Sequence, residues 1–333
     1  MADRLTAQAE TKQQRVEAKR QRVLVVLAFF CIYVIWGSTY LAVHYAVETI
    51  PPLFVAGLRH LFAGGLLFAW CWQRGLRPDK RQWYASLILG VLFFLIGHGT
   101  LHWAIQTMPS GLAALLVATE PVWIALMTAA TRQARITPTL VAGLVLGVCG
   151  VALLIGSDAP GSRGVLLSSV VVLAGTFSWA LGIMYSRRSN LHPDAIMSAA
   201  MSLLAGALLL LLAGALTGEA ASLRLAQVSL RSLLGLAYLT VFGSLVAYSA
   251  YFWLLQRRPP ALVATHTYAN PIVALLLGWA MAGEAITGRI VFSAAAVVAA
   301  VALVSKGSRQ ADKTTAARQQ EQAASADLAR RAV

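Results

Sequence analysis

Residues 103–126 read WAIQTMPSGLAALLVATEPVWIAL, and residues 253–276 read WLLQRRPPALVATHTYANPIVALL. Trp103, Gln106, Pro109, Leu112, Ala114, Pro121 and Leu126 each recur 150 residues later, without a gap. The register continues outward. Ile136 and Thr137 match Ile286 and Thr287, and Val151 to Leu153 match Val301 to Leu303, giving 18 identities in 67 aligned positions from Leu89 to Ile155. Ala- and Leu-rich sequence supplies some of these by chance, but not a Trp, a Gln and two prolines in one register. The chain reads as two copies of one unit.

The flanking runs show what kind of unit it is. The 333 residues are 58% hydrophobic and 12% charged, whereas soluble domains carry about 25% charge. This composition predicts an all-α integral membrane protein, because lipid offers an open backbone no hydrogen-bond partner. A crossing takes about 20 apolar residues, and ten such runs are found: 23–47, 53–72, 83–107, 110–131, 138–156, 164–186, 195–216, 232–255, 260–282 and 287–305. The organisation expected is a basic tail (1–22), a first five-helix repeat (23–156), a second (164–305) and a disordered tail (306–333). No cleavable signal segment is read at the start.

The net charge of +14 would suit nucleic acid, but the cations sit in short caps between apolar runs and not on one polar face, so no nucleic-acid partner is expected. They orient the chain instead. With the N-terminus inside, the inside segments hold 22 Lys and Arg and the outside segments four (Arg163, Arg224, Arg231, Arg289), with Arg59 alone within a span. Both termini are therefore expected in the cytoplasm of a multi-pass protein of the cell (inner) membrane. Five spans separate each element from its mate, and five is odd, so the repeats should enter the bilayer in opposite directions. Pro109 then falls in an outside turn and Pro259 in an inside one. Inverted repeats give two nearly equivalent packings around a midplane site, the basis of alternating access.

Glu120 and Pro121 interrupt one such span, and Asn270 and Pro271 stand at the matching place in the other. Each proline removes one helix donor, the one that the carbonyls of Val117 and Thr267 would otherwise accept from. The prolines are candidate hinges. Glu120 is the one acid placed deep in a span; the other six acids between 23 and 305 lie near span ends or in connections. An intramembrane ionisable group points to a functional site, here cation binding or proton coupling. The alternatives are a protonated Glu120 bonded to a neighbouring helix, or an ion pair with Arg59. His98, His102 and Gln106 recur every fourth position, as do Ser244, Tyr248 and Phe252, while His266 and Asn270 align on the ninth span. The histidines can serve a core hydrogen bond or contact a ligand. No cofactor is implied, and no metal, because no carboxylate or thiolate stands at ligand spacing.

Trp36 and Trp179, each in the first span of its half, can wall a cavity or simply pack. Gly143 and Gly147 form a small-xxx-small surface for close helix packing or a homodimer contact, so both monomer and homodimer stay open. Cys31, Cys71 and Cys149 are read as free buried thiols.

WGSTYLAVHYAVETIPPLFVAGLRHLFAGGLL (36–67), with PSGLAALLVATEPVWIALM and ALVATHTYANPIVALLLGWAMAGEAIT, resembles EamA-type transporters of the drug/metabolite transporter superfamily over residues 23–305. The resemblance implies ten helices in two inverted repeats, a central cavity, and export of amino acids, metabolites or drugs. It places Trp36, Glu120, His266 and Asn270 at or near that cavity. Gly283 and Glu284 match the family's GE after the ninth helix, but the equivalent positions in the first half are Gln133 and Ala134. No transport role follows for that pair.

The expected function is a secondary transporter of a small amphipathic solute. Its solute would contact Trp36, His98, His102, Glu120, Trp179, Tyr248, His266 and Asn270. A non-transporting receptor or scaffold is the alternative, as is a membrane enzyme, although the deep acid stands without the convergent partners that catalysis would need. Its partners are then the solute and the lipid bilayer.

Overall fold

The computed structural model describes residues 17, 19–131, 137–155, 162–258, 260–263, 265–304 and 306–307. Most of both tails, Arg132 to Ile136 and Pro259 lie outside the described residues. Every regular element among the described residues is helical. The longer ones, in chain order, are α1 (Lys19–Ala46), α2 (Pro52–Gln73), α3 (Lys80–Ala104), α4 (Ser110–Ala130), α5 (Pro138–Ile155), α6 (Gly164–Ser186), α7 (Ala195–Leu216), α8 (Leu230–Arg257), α9 (His266–Ala282) and α10 (Gly288–Val304), with short turns of helix at Glu219–Ser222, Leu225–Gln227 and Pro260–Val263. Seven of them, α1 to α4 and α6 to α8, are long and apolar enough to cross a membrane. The protein is a membrane protein.

Local chemistry sets the helix ends. Pro52 opens α2, where a missing N–H costs nothing. At α3 a capping box closes: Gln82 N donates to Asp79 Oδ1 at 2.8 Å, and Asp79 N donates to Gln82 Oε1 at 3.0 Å. Asp194 accepts from Ile196 N and Met197 N at the start of α7. Asp79 and Asp194, two of the acids near span ends, are thus structural caps.

Glycine contacts reveal how the helices run. Along α2, Gly57 lies against Leu211, Gly64 against Leu203, and Phe54 against Gly214. Rising numbers meet falling ones, so α2 and α7 are antiparallel. Gly143, Gly147 and Gly150 meet Val304, Ala300 and Ala296, making α5 and α10 antiparallel too. That small-residue surface is therefore used inside the chain. Between the halves, α3 packs on α6 (Phe93 on Gly182, Thr100 on Gly175) and α1 on α8 (Ala46 on Gly235).

Three helices widen locally into π-helix, at Cys31–Ile35, Gly90–His98 and Leu239–Val246. The last two stand at nearly matching places in the repeat. The three cysteines are free as expected, but only Cys71 is buried; Cys31 is partly exposed and Cys149 exposed. An apolar span has a lipid-facing side as well as a core-facing one, and a cysteine suits either.

Candidate functional site

The halves meet around a cavity of about 70 Å³. Trp36, Trp179 and Tyr248 supply its aromatic walls, and Arg59, His98, Glu120, His266 and Asn270 line it with polar groups. Seven of the eight residues expected to contact solute therefore gather at one place. The eighth, His102, is buried behind the wall, where its Nδ1 donates to the His98 carbonyl at 2.8 Å.

Each π segment delivers one of these rings. Trp36 directly follows Cys31–Ile35, His98 closes Gly90–His98, and Tyr248 lies just beyond Leu239–Val246. An inserted residue rotates the helix beyond it, and such bulges concentrate at functional sites. Gln106 leaves the predicted stripe because α3 ends at Ala104; its amide bonds the Trp103 carbonyl at 3.1 Å in the turn leading to Pro109.

Glu120 is 2% exposed and begins the second segment of α4, which breaks at Ala118–Thr119 between Ser110–Val117 and Glu120–Ala130. Its Oε1 has no hydrogen-bond partner among the described residues. Arg59 is equally buried and lines the same cavity, yet the two form no ion pair; the ion pairs among the described residues are Arg20–Glu17 and Arg231–Glu48. An acid and a base thus share one small chamber without neutralising each other directly. Pro121 follows the break in α4. Pro271 lies inside the continuous helix α9, whose start at His266 follows a turn at Thr265. The two interruptions are consequently offset, since neighbouring groups can support a helix through a proline. Oriented to satisfy its amide, Asn270 donates to the carbonyls of His266 and Tyr33, both at 3.0 Å.

A hydrogen-bonded chain links the halves. Arg59 Nε donates to Ser244 Oγ at 2.9 Å, Ser244 Oγ meets His60 Nδ1 at 3.2 Å, His60 Nε2 meets His98 Nδ1 at 3.0 Å, and His98 Nε2 meets Tyr248 Oη at 2.8 Å. Arginine can only donate. The Ser244 hydroxyl has one hydrogen and two lone pairs, so it can donate to His60 or accept from it, and the two imidazoles carry either polarity through to Tyr248. Stacking on Trp179 at 5.4 Å and 17° fixes His98 from the side. Trp36 is held by donation from Nε1 to the Gly243 carbonyl at 3.2 Å and by the His266 ring at 4.9 Å. Sequence reasoning missed His60; its signal was the Arg59–His60 pair inside an otherwise apolar run.

Glu284 has a structural task at the start of α4. Ser110 N donates to Oε1 at 2.8 Å and Gly111 N to Oε2 at 3.2 Å, a charge-assisted cap from the distant repeat. Gly283, with φ +66°, turns the chain out of α9, and Gly278 leaves room that a Cβ would take from the carboxylate. Glu284→Ala should lower stability by about 1–2 kcal/mol, and Glu284→Gln by less. Thermal melts in detergent at one scan rate check this; equal midpoints for all three proteins would contradict it.

The comparisons with known proteins agree with this architecture. The EamA-like transporter family model matches residues 23–156 and again 166–306. The uncharacterized inner membrane transporter YedA of Escherichia coli K12 is 35% identical over 294 residues, 86% of this chain and 92% of its own. Protein PecM of Dickeya dadantii is 27% identical, covering 82% of this chain and 91% of its own. A "Probable amino-acid metabolite efflux pump" of Escherichia coli K12 is 25% identical over 81% and 90%. One crystal structure shares the fold with a TM-score of 0.61 at 22% identity, covering 86% of this chain and 98% of that one.

Proposed function

Because this chain belongs to the EamA-like transporter family, we propose that it is a secondary transporter exporting a small amphipathic solute across the inner membrane by alternating access. The solute is an amino acid, another metabolite or a drug of similar size. The observation that carries this reading is Glu120, a buried carboxyl with an unpartnered oxygen lining a cavity between the two halves. A group that costly to bury is explained by a ligand or a proton that it meets during the cycle. Aromatic walls take the apolar part of the solute, and Arg59, Tyr248 and Glu120 orient its polar part.

Ten spans in two inverted repeats, with both termini inside, complete the proposal. The antiparallel pairs α2–α7 and α5–α10 support it, as does the correspondence of α1–α8 with α6–α3. So does the contact of His98 with Tyr248, which are mates in the 150-residue register: mates touch where a pseudo-two-fold axis passes. Ligand pockets span about 300–1,000 Å³, so the present cavity is contracted, and the halves must part to admit solute.

The test is flux in sealed liposomes against a panel of amino acids, nucleosides and cationic drugs. Saturable movement of at least one solute is expected; its absence across the panel would refute transport. Cysteines at 109 and 259 should be labelled from opposite faces, and labelling from one face would refute the inversion.

A further inference from the structure

A second cavity, of about 420 Å³, opens between the start of α3 and the end of α6, where Lys80, Arg81, Tyr84, Tyr185, Arg188 and Ser189 line it. Three cations from two repeats converge there, and none has a carboxylate partner among the described residues. Asp79, next in sequence, is occupied as the α3 cap. Neighbouring cations find other partners: Arg74 lies over Trp70 at 4.2 Å and Arg77 over Trp72 at 3.7 Å. Those rings, with Trp83 and Tyr84, form the aromatic belt that marks the headgroup level of a bilayer.

One turn deeper the surroundings become apolar. Leu87 on α3 and Leu181 on α6, one helical turn from Tyr84 and Tyr185, are 43% and 36% exposed and offer apolar surface to an acyl chain. We propose that this cavity binds the phosphate headgroup of an anionic phospholipid of the cytoplasmic leaflet, with an acyl chain lying along Leu87 and Leu181. The cations and hydroxyls suit a phosphodiester, and basic pockets between helices on the cytoplasmic side, where the proposed orientation puts this end of α3, take such headgroups. Free phosphate would use the charges but gain nothing from the leucines. A lipid here clamps α3 of one half to α6 of the other, the helices that carry His98 and Trp179. The site is therefore placed to bias the packing of the halves without touching the central cavity.

Native mass spectrometry of the full chain, released from bilayers mixing phosphatidylglycerol and phosphatidylcholine, tests the site. The wild type should retain phosphatidylglycerol selectively, and retention should fall about fivefold for each cation removed in Lys80→Gln, Arg81→Gln and Arg188→Gln. These side chains are exposed except for their cavity face, so the variants should fold. Arg257→Gln with Arg258→Gln, at another basic connection, should retain lipid as the wild type does, and excess inorganic phosphate should not displace it. Undiminished retention by the triple variant, no preference for the anionic lipid, an equal loss at Arg257 and Arg258, or displacement by free phosphate would each overturn the proposal.

Discussion

Glu120→Gln should lower solute flux by about tenfold to a hundredfold, the loss expected when a buried contact to a charged group is removed. The amide keeps the shape of the side chain but can neither carry a charge nor exchange a proton. Because Glu120 forms no ion pair among the described residues, the substitution strands no partner there, and the folded yield should hold. Two roles can then be separated. If Glu120 binds a cationic group of the solute, downhill exchange and uphill export fall together and KM rises. If it couples proton movement, exchange between equal solute pools survives while proton-driven accumulation is lost and the dependence of rate on pH flattens. A variant matching the wild type in rate and pH profile would remove Glu120 from the mechanism.

The second large effect separates two adjacent glycines. Gly64→Val should sharply reduce the yield of folded protein, whereas Gly65→Val should express like the wild type. A Cβ at Gly64 would lie 2.9 Å from Leu203 Cβ, 3.0 Å from Leu204 N and 3.2 Å from the Ala200 carbonyl oxygen. Two of these are backbone atoms of α7 and cannot swing aside, so the two helices must move apart. Overpacking of this kind costs about 1–3 kcal/mol or more. A Cβ at Gly65 meets nothing within 4 Å. Monodisperse yield after gel filtration is the measurement; equal yields for the two variants would refute the close approach of α2 to α7.

These two cases also show where sequence reading reached its limit. Glu120 was legible because a lone acid amid apolar residues has a cost that any fold must explain, and its mate Asn270 followed from the repeat register. Trp36, His98 and Tyr248 were expected at one solute site, but the contacts among them were not legible, since these depend on how α1, α3 and α8 converge. His60 was invisible as a relay member, because its partners Ser244 and His98 come from two other helices. The π segments left no readable mark, because an added residue in a turn changes side-chain direction without changing composition. Glu284 looked like a family feature without a task until its carboxylate was seen capping α4, 173 residues away from Gly111.

By itself, the sequence determined that this is a helical membrane protein built as a duplicated unit with a polar group deep in each half. Hydropathy, charge alternation and repeat register are sums over many residues, so single irregularities do not erase them. Only the tertiary structure decided which glycine faces a neighbour, that an arginine, a serine and two histidines join in one hydrogen-bonded chain, and that Glu120 and Arg59 share a chamber unpaired. Those outcomes turn on differences of an ångström between side chains of separate helices, and no local pattern encodes such a distance.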